Sequence, residues 1–226
     1  MFNISVIVNT FAIIIGGSLG LLIGNKLKDN YRNILFQAIG LTTIAIGMKM
    51  AFKANDLLVV LGSLALGGLL GEFWNIEGGI GKIANKLENS KGETPFVKGF
   101  ITATVLFVVG PMTILGCMSA GTGDNSLIFL KSLLDGISSI VLASVYGTGV
   151  IFSALSVYIV QGLLVVFAGS LNFLSNPTYL NDFTAVGGLM VFAIALRLLN
   201  IKEIKVGNFL PSLIFVILID FIKTLF

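Results

Sequence analysis

Three features of the sequence predict an all-α polytopic membrane protein of about eight transmembrane helices. The 226 residues are 56% hydrophobic and 11% charged, with a mean hydropathy of +1.01, which is too little charge for a water-facing surface. The apolar residues come in continuous runs near the length of a bilayer crossing. A transmembrane β-barrel would instead alternate in segments of about ten residues. Finally, the first three runs resemble the last three, which predicts an inverted repeat (spans 1–3 against spans 6–8) around a central hairpin.

Taken in order, the spans fall at Ile4–Gly24, 33–52, 57–74, 96–115, 127–146, 150–173, 183–199 and 208–226. Each is long enough to cross a hydrocarbon core of about 30 Å. The first begins without a basic leader, so it reads as a retained helix and not as a signal peptide. The third is rich in glycine (GSLALGGLLG). The fourth carries Gly110-Pro111 well inside it. Pro111 removes a backbone donor, so this span is either two half-helices or one kinked helix. The whole is a single transmembrane domain: copy one at 4–74, a loop at 75–95, the central hairpin at 96–146 and copy two at 150–226.

Loop charge sets the expected orientation. With both termini outside, ten of the fourteen Lys and Arg residues face the cytoplasm, in keeping with the positive-inside rule. The 75–95 loop is then cytoplasmic. Its IGKIANKLEN portion reads either as a short amphipathic helix on the membrane surface or as a solvated connector.

The repeat rests on order and spacing. IIIGGSLGLLIG (13–24) lies against YIVQGLLVVFAG (158–169) at a constant offset. AIGLTTIAIGMKM (38–50) lies against AVGGLMVFAIALRL (185–198) with one insertion, so that Lys49 meets Arg197 and, further on, Glu72 meets Asp220. Copies five spans apart must insert in opposite senses. The matched loops carry opposite charge bias: NKLKDNYR is basic, whereas SLNFLSNPTYLND has no Lys or Arg.

Candidate chemistry lies in the polar residues within the spans. Asp135 is the carboxylate set deepest in an apolar run, and Lys131 stands one helical turn before it on the same face. Intramembrane ionisable groups mark ion or substrate paths unless they pair with each other, and both readings apply to these two. A break at Gly110 and Pro111 would free backbone groups at membrane depth, as in transporter binding sites. Asn9, Gln37, Gln161 and Thr184 would converge if the copies pack about a pseudo-twofold axis. Ser132 adds a hydroxyl beside Lys131, and Thr10, Thr42, Thr43 and Ser153 are further hydroxyls within the spans. The simpler role for any one of these is an interhelical hydrogen bond, typically worth about 0.6 kcal/mol. Glycines 16, 20 and 24, and likewise 67 and 71, form small-residue stripes suited to packing the copies together or to a homodimer face. The chain has no histidine and one cysteine, Cys117. No zinc motif, nucleophile–base pair or nucleotide fingerprint is present in the sequence, so neither metal, cofactor, nucleic acid nor catalysis is expected.

The segments NTFAIIIGGSLGLLIG, LFQAIGLTTIAIGMKMA, FVVGPMTILG, LKSLLDGISSIVLAS, GTGVIFSALSVYIVQG and KVGNFLPSL occur in an order that resembles the bacterial membrane proteins grouped as the domain of unknown function 554 family, the YdfK and YqgA type. The resemblance runs from Asn9 to Pro211. It implies a multi-pass protein of the bacterial cytoplasmic (inner) membrane and a transporter-like class. It carries over no substrate and no catalytic residue.

The functional expectation is a secondary transporter or channel for a small polar solute or ion, coupled to a proton or cation through Asp135. The alternative is a non-transporting scaffold, sensor or assembly partner that acts through the 75–95 loop. The expected partners are the lipid bilayer, the solute or ion, and a second copy of the chain.

Overall fold

The computed structural model describes residues 3–24, 28–88 and 95–224. Its helices are α1 (Ile4–Gly24), α2 (Asp29–Ala51), α3 (Leu57–Phe73), α4 (Ile76–Glu88), α5 (Pro95–Val108), α6 (Pro111–Gly121), α7 (Ser126–Tyr146), α8 (Gly149–Val166), α9 (Pro177–Leu198) and α10 (Ser212–Lys223), with 3-10 turns at Asn172–Ser175 and Val206–Phe209. No strand occurs among the described residues. Among the described residues six helical segments are long and apolar enough to cross a membrane, or up to eight if each of two bent helix pairs is one span. The bends are 59° between α5 and α6 and 47° between α3 and α4. The predicted all-α fold therefore holds, and the predicted count of about eight lies at the upper end of six to eight candidate spans.

Local chemistry explains the helix ends. Asn176 caps α9 by accepting the Thr178 amide at 3.0 Å, and Pro177 occupies the first helical position. Asp56 caps α3 in the same way through the Leu58 amide at 2.8 Å. At the α5–α6 break, Pro111 forces Gly110 into an extended conformation with φ 174°. Any residue tolerates that φ, so the proline makes the break. At the α3–α4 bend, Asn75 takes φ 48°, the left-handed region that asparagine tolerates best among residues with a Cβ.

The chain forms two compact units that interleave in sequence: Met1–Leu35 with Glu93–Ser175, and Phe36–Gly92 with Asn176–Phe226. They do not coincide with the sequence copies. Copy one supplies α1 and the start of α2 to the first unit, and the rest of α2 with α3 to the second. Copy two supplies α8 to the first and α9 and α10 to the second.

In the first unit α1 lies almost backbone to backbone on α7. A Cβ on Gly16, Gly20 or Gly24 would fall 2.1, 2.2 and 2.3 Å from the carbonyls of Gly136, Ile140 and Ser144. This stripe is consumed against the central hairpin, so it serves neither copy-to-copy packing nor a dimer face. In the second unit Gly71 of α3 meets the Asn208 carbonyl and Gly67 meets Ser212, which joins elements of the two copies. The predicted surface helix exists as part of α4, whose first turn is held by the protein. Glu77 is buried, and its carboxylate accepts from Arg197 Nη1 at 2.7 Å and from the Gly207 amide at 2.8 Å. Residues 89–94 of the predicted loop lie outside the described residues, as do Lys26 and Lys91 of the charge count.

Candidate functional site

The first unit buries a polar cluster drawn from three helices. Asn9 comes from α1, Lys131 and Asp135 from α7, and Gln161 from α8. Asn9 and Gln161 are fully buried, and Lys131 and Asp135 retain 5% and 6% exposure. The close α1–α7 approach at the glycine stripe brings Asn9 within reach of Asp135. Lys131 Nζ donates to both carboxylate oxygens of Asp135, at 2.7 and 2.6 Å. Asn9 Nδ2 donates to Asp135 Oδ2 and to Gln161 Oε1, each at 3.1 Å. The Lys131 ammonium also lies 5.9 Å from the centre of the Phe107 ring, at the end of α5.

This hydrogen bonding fixes the amide orientations. Asn9 must turn its NH₂ toward the carboxylate, so Gln161 must turn its oxygen toward Asn9. Two groups are then left over: the acceptor Asn9 Oδ1 and the donor Gln161 Nε2 are both buried without a protein partner. Each is costly to leave unmet, about 1–3 kcal/mol. The charges of Lys131 and Asp135 cancel locally, so the unmet capacity is that of a neutral donor–acceptor pair.

A second group of polar residues lies further toward one end of the unit. Ser5 lies one turn before Asn9 on α1, about 6 Å along the axis. It is buried, and its single hydroxyl proton lies within reach of either Asn125 Oδ1, at 2.9 Å, or Asn3 Oδ1, at 3.0 Å. Asn3 and Asn125, with Ala120, Gly121, Val165 and Val166, line an open cleft of about 560 Å³. Asn3, Ser5 and Asn125 did not emerge from the sequence as site residues. The signal was the run of small polar residues at the start of α1 and before α7, which reads equally well as helix capping.

The other predicted site residues take different places. Gly110 and Pro111 make the α5–α6 break, and one carbonyl there, that of Phe107, is taken up by the Thr113 hydroxyl at 3.0 Å. Ser132 is buried but bonds the Ile128 carbonyl of its own helix at 2.7 Å. Thr10, Thr42, Thr43 and Ser153 likewise bond carbonyls within their own helices. Of the four residues expected to converge, Asn9 and Gln161 meet within the first unit. Gln37 is exposed on α2, and Thr184 of α9 bonds the Leu180 carbonyl at 2.5 Å. Both belong to the second unit.

Residues 4–221 match the family model described as protein of unknown function (DUF554). The chain belongs to that family. It is 36% identical over 213 residues to the uncharacterized membrane protein YdfK of Bacillus subtilis, covering 92% of this chain and 91% of the relative. It is 31% identical over 215 residues to the uncharacterized protein YqgA of Escherichia coli K12, covering 92% of each. No solved structure matches. The DUF554 assignment agrees with the resemblance read from the motifs, and a relative's name joins the apolar helices in making this a multi-pass membrane protein.

Proposed function

We propose that this DUF554 protein is a transporter or channel for a small polar solute, and that the solute binds at Asn9 and Gln161 in the first unit. One observation carries the reading: a buried acceptor and a buried donor without partners lie beside an internally neutralised ion pair. A neutral molecule that both donates and accepts hydrogen bonds, of the amide or urea kind, satisfies both groups at once. A bare ion satisfies only one. Asp135 then orients Asn9, and Lys131 keeps the carboxylate charge matched. No catalytic step belongs to this reading.

The packing directions support an inverted repeat in the same molecule. Matched helices of the two copies pair within each unit, and each pair runs antiparallel. Asn9 meets Gln161 while Gly17 meets Ile151, Gly40 meets Leu199 while Gly47 meets Phe192, and Gly62 meets Ile219 while Gly71 meets Asn208. Opposed insertion of the copies produces that pattern. Both termini outside, in a bacterial inner membrane, is the orientation that loop charge favours. The scaffold alternative has less to work with, because the start of α4 is engaged by Arg197 and Gly207 of the same chain.

The test is a swelling assay. Proteoliposomes containing the purified chain are challenged with inward gradients of urea, formamide, acetamide, glycerol and glycine, and light scattering follows the volume. At least one amide-type solute is expected to enter faster than into protein-free vesicles, and Asn9→Ala and Gln161→Ala are each expected to slow that entry. Equal entry for both alanine variants and the wild type, or no solute entering above the lipid background, refutes the site.

A further inference from the structure

The bend between α5 and α6 stands against the charged half of the cluster. An uninterrupted helix would fill the Phe107 carbonyl with the amide four residues on, but that residue is Pro111, which has no N–H. The Thr113 hydroxyl takes the amide's place at 3.0 Å, and both residues are fully buried. The last turn of α5 is thereby held in place across the break. On α6, a Cβ on Gly116 would lie 3.1 Å from Ile128 of the antiparallel α7, so Thr113, one turn back, comes level with Lys131, one turn on. The held turn brings the Phe107 ring to 5.9 Å from the Lys131 ammonium, within the range of cation–π attraction. An ammonium carries three donors, and the Asp135 carboxylate engages the nitrogen through both its oxygens. The π face of Phe107 is the electron-rich surface next to it on the α5 side.

We propose that Phe107 sets the charge selectivity of the solute site: its ring covers a side of the Lys131 ammonium on which an anion would bind, and so reserves Asn9 and Gln161 for neutral solutes. The inference rests on the solute reading above and adds the charge class that the site refuses. A buried ammonium draws an anion far more strongly than one in water does. Asp135 blocks one approach with its own negative charge. The ring blocks another without carrying a charge, and it offers an anion the negative face of its quadrupole and no hydrogen-bond donor. The hydroxyls at this level do not serve an anion in its place, because Ser132 is spent on the Ile128 carbonyl and Thr113 on the Phe107 carbonyl. Phe107 thus acts through Lys131. A ring that merely filled the core would affect stability when replaced, and would leave the charge of what passes unchanged.

The experiment sets nitrate against urea, two planar molecules of similar size that differ in charge. Proteoliposomes of the full chain receive inward gradients of urea, formamide or acetamide, or of potassium nitrate with valinomycin to carry the potassium, and light scattering follows entry. The reading is the ratio of nitrate entry to entry of the fastest amide-type solute, so that differences in the amount of folded protein cancel. Nitrate is expected to enter wild-type vesicles no faster than protein-free ones. Phe107→Leu, which keeps apolar volume and loses the π face, and Phe107→Ala are each expected to raise the ratio several-fold, and Phe107→Tyr to hold it at the wild-type value. Sodium entry, read with a sodium-sensitive dye, is expected to stay at background throughout, because an unspecific leak admits both signs of charge. A wild type that passes none of these amides refutes the solute reading, and this inference falls with it. The selectivity role alone is overturned if the wild type passes an amide and nitrate as well, or if neither Phe107→Leu nor Phe107→Ala raises the ratio. It is equally overturned if Phe107→Tyr raises the ratio as much as Phe107→Leu, or if sodium entry rises together with nitrate.

Discussion

Replacing Asp135 by asparagine separates the structural role of the buried ion pair from its role at the solute site. In the wild type, Lys131 Nζ sits 2.7 and 2.6 Å from the two carboxylate oxygens, and both side chains are almost fully buried. Asp135→Asn leaves the ammonium desolvated and without its counter-charge. Breaking a buried pair on one side costs about 3–5 kcal/mol. The contact with the Phe107 ring does not offset this, because it is present before and after the change. Lys131→Met is expected to cost a similar amount by stranding the carboxylate. The double variant removes both charges, so neither partner is left as an uncompensated buried charge, and the new amide oxygen at position 135 can still accept from Asn9. It should therefore lie within about 1 kcal/mol of wild type, which is a large coupling in a double-mutant cycle. The assay is equilibrium unfolding in bicelles for the four proteins, with solute entry measured on the same preparations. The reasoning fails if Asp135→Asn costs less than about 1 kcal/mol, or if the double variant is as unstable as the worse single one. If the double variant is stable yet still passes solute, the charges serve the fold and the amides alone serve the solute.

Further predictions follow from packing and charge. Gly20→Ala would place a Cβ 2.2 Å from the Ile140 carbonyl and 3.0 Å from Ala143, so α1 must move outward, at a cost of about 1–3 kcal/mol in thermal melts. Gly79→Ala, within α4 with nothing within 4 Å of the new methyl, should stabilise by about 0.5–1 kcal/mol in the same melts. Glu77→Gln removes the charge that Arg197 Nη1 meets at 2.7 Å, and should speed tryptic cleavage at the exposed Lys82 by loosening α4. The Asp56 carboxyl is held below its ordinary value of 3.8 by the hydrogen bond from Lys223 and then by the Leu58 amide. Its contribution is therefore present above pH 3.8 and lost as pH falls through its lowered folded value, so Asp56→Ala should flatten the acid limb of a melting-temperature profile.

How much of this was legible in the sequence depended on the range of the interaction. α1 matches its predicted bounds, because its apolar run is continuous and ends in glycine. The break in the fourth span was visible as Gly110-Pro111, since proline acts on its own neighbours. The start of α9 was placed six residues late, at Phe183. The polar stretch Thr178–Asp182 reads as a loop by hydropathy, whereas Asn176-Pro177 is a helix-start signal that outweighs it. The Lys131–Asp135 pair was visible because four residues on a helix is local. The partners of Asn9, Glu77 and Asp182 lie more than a hundred residues away, and no local pattern announces them. Gln37 illustrates the converse. A polar residue inside an apolar run need not face inward, and this one lies on the exposed face of α2.

The most direct measurement is a structure of the chain in lipid nanodiscs, soaked with the solute that enters fastest, at a resolution that shows bound water and small molecules. The solute reading predicts density bonded to both Asn9 Oδ1 and Gln161 Nε2, with the Lys131–Asp135 pair intact beside it. A dry cluster, in which the two amides have turned to satisfy each other and the solute is found elsewhere, would contradict it.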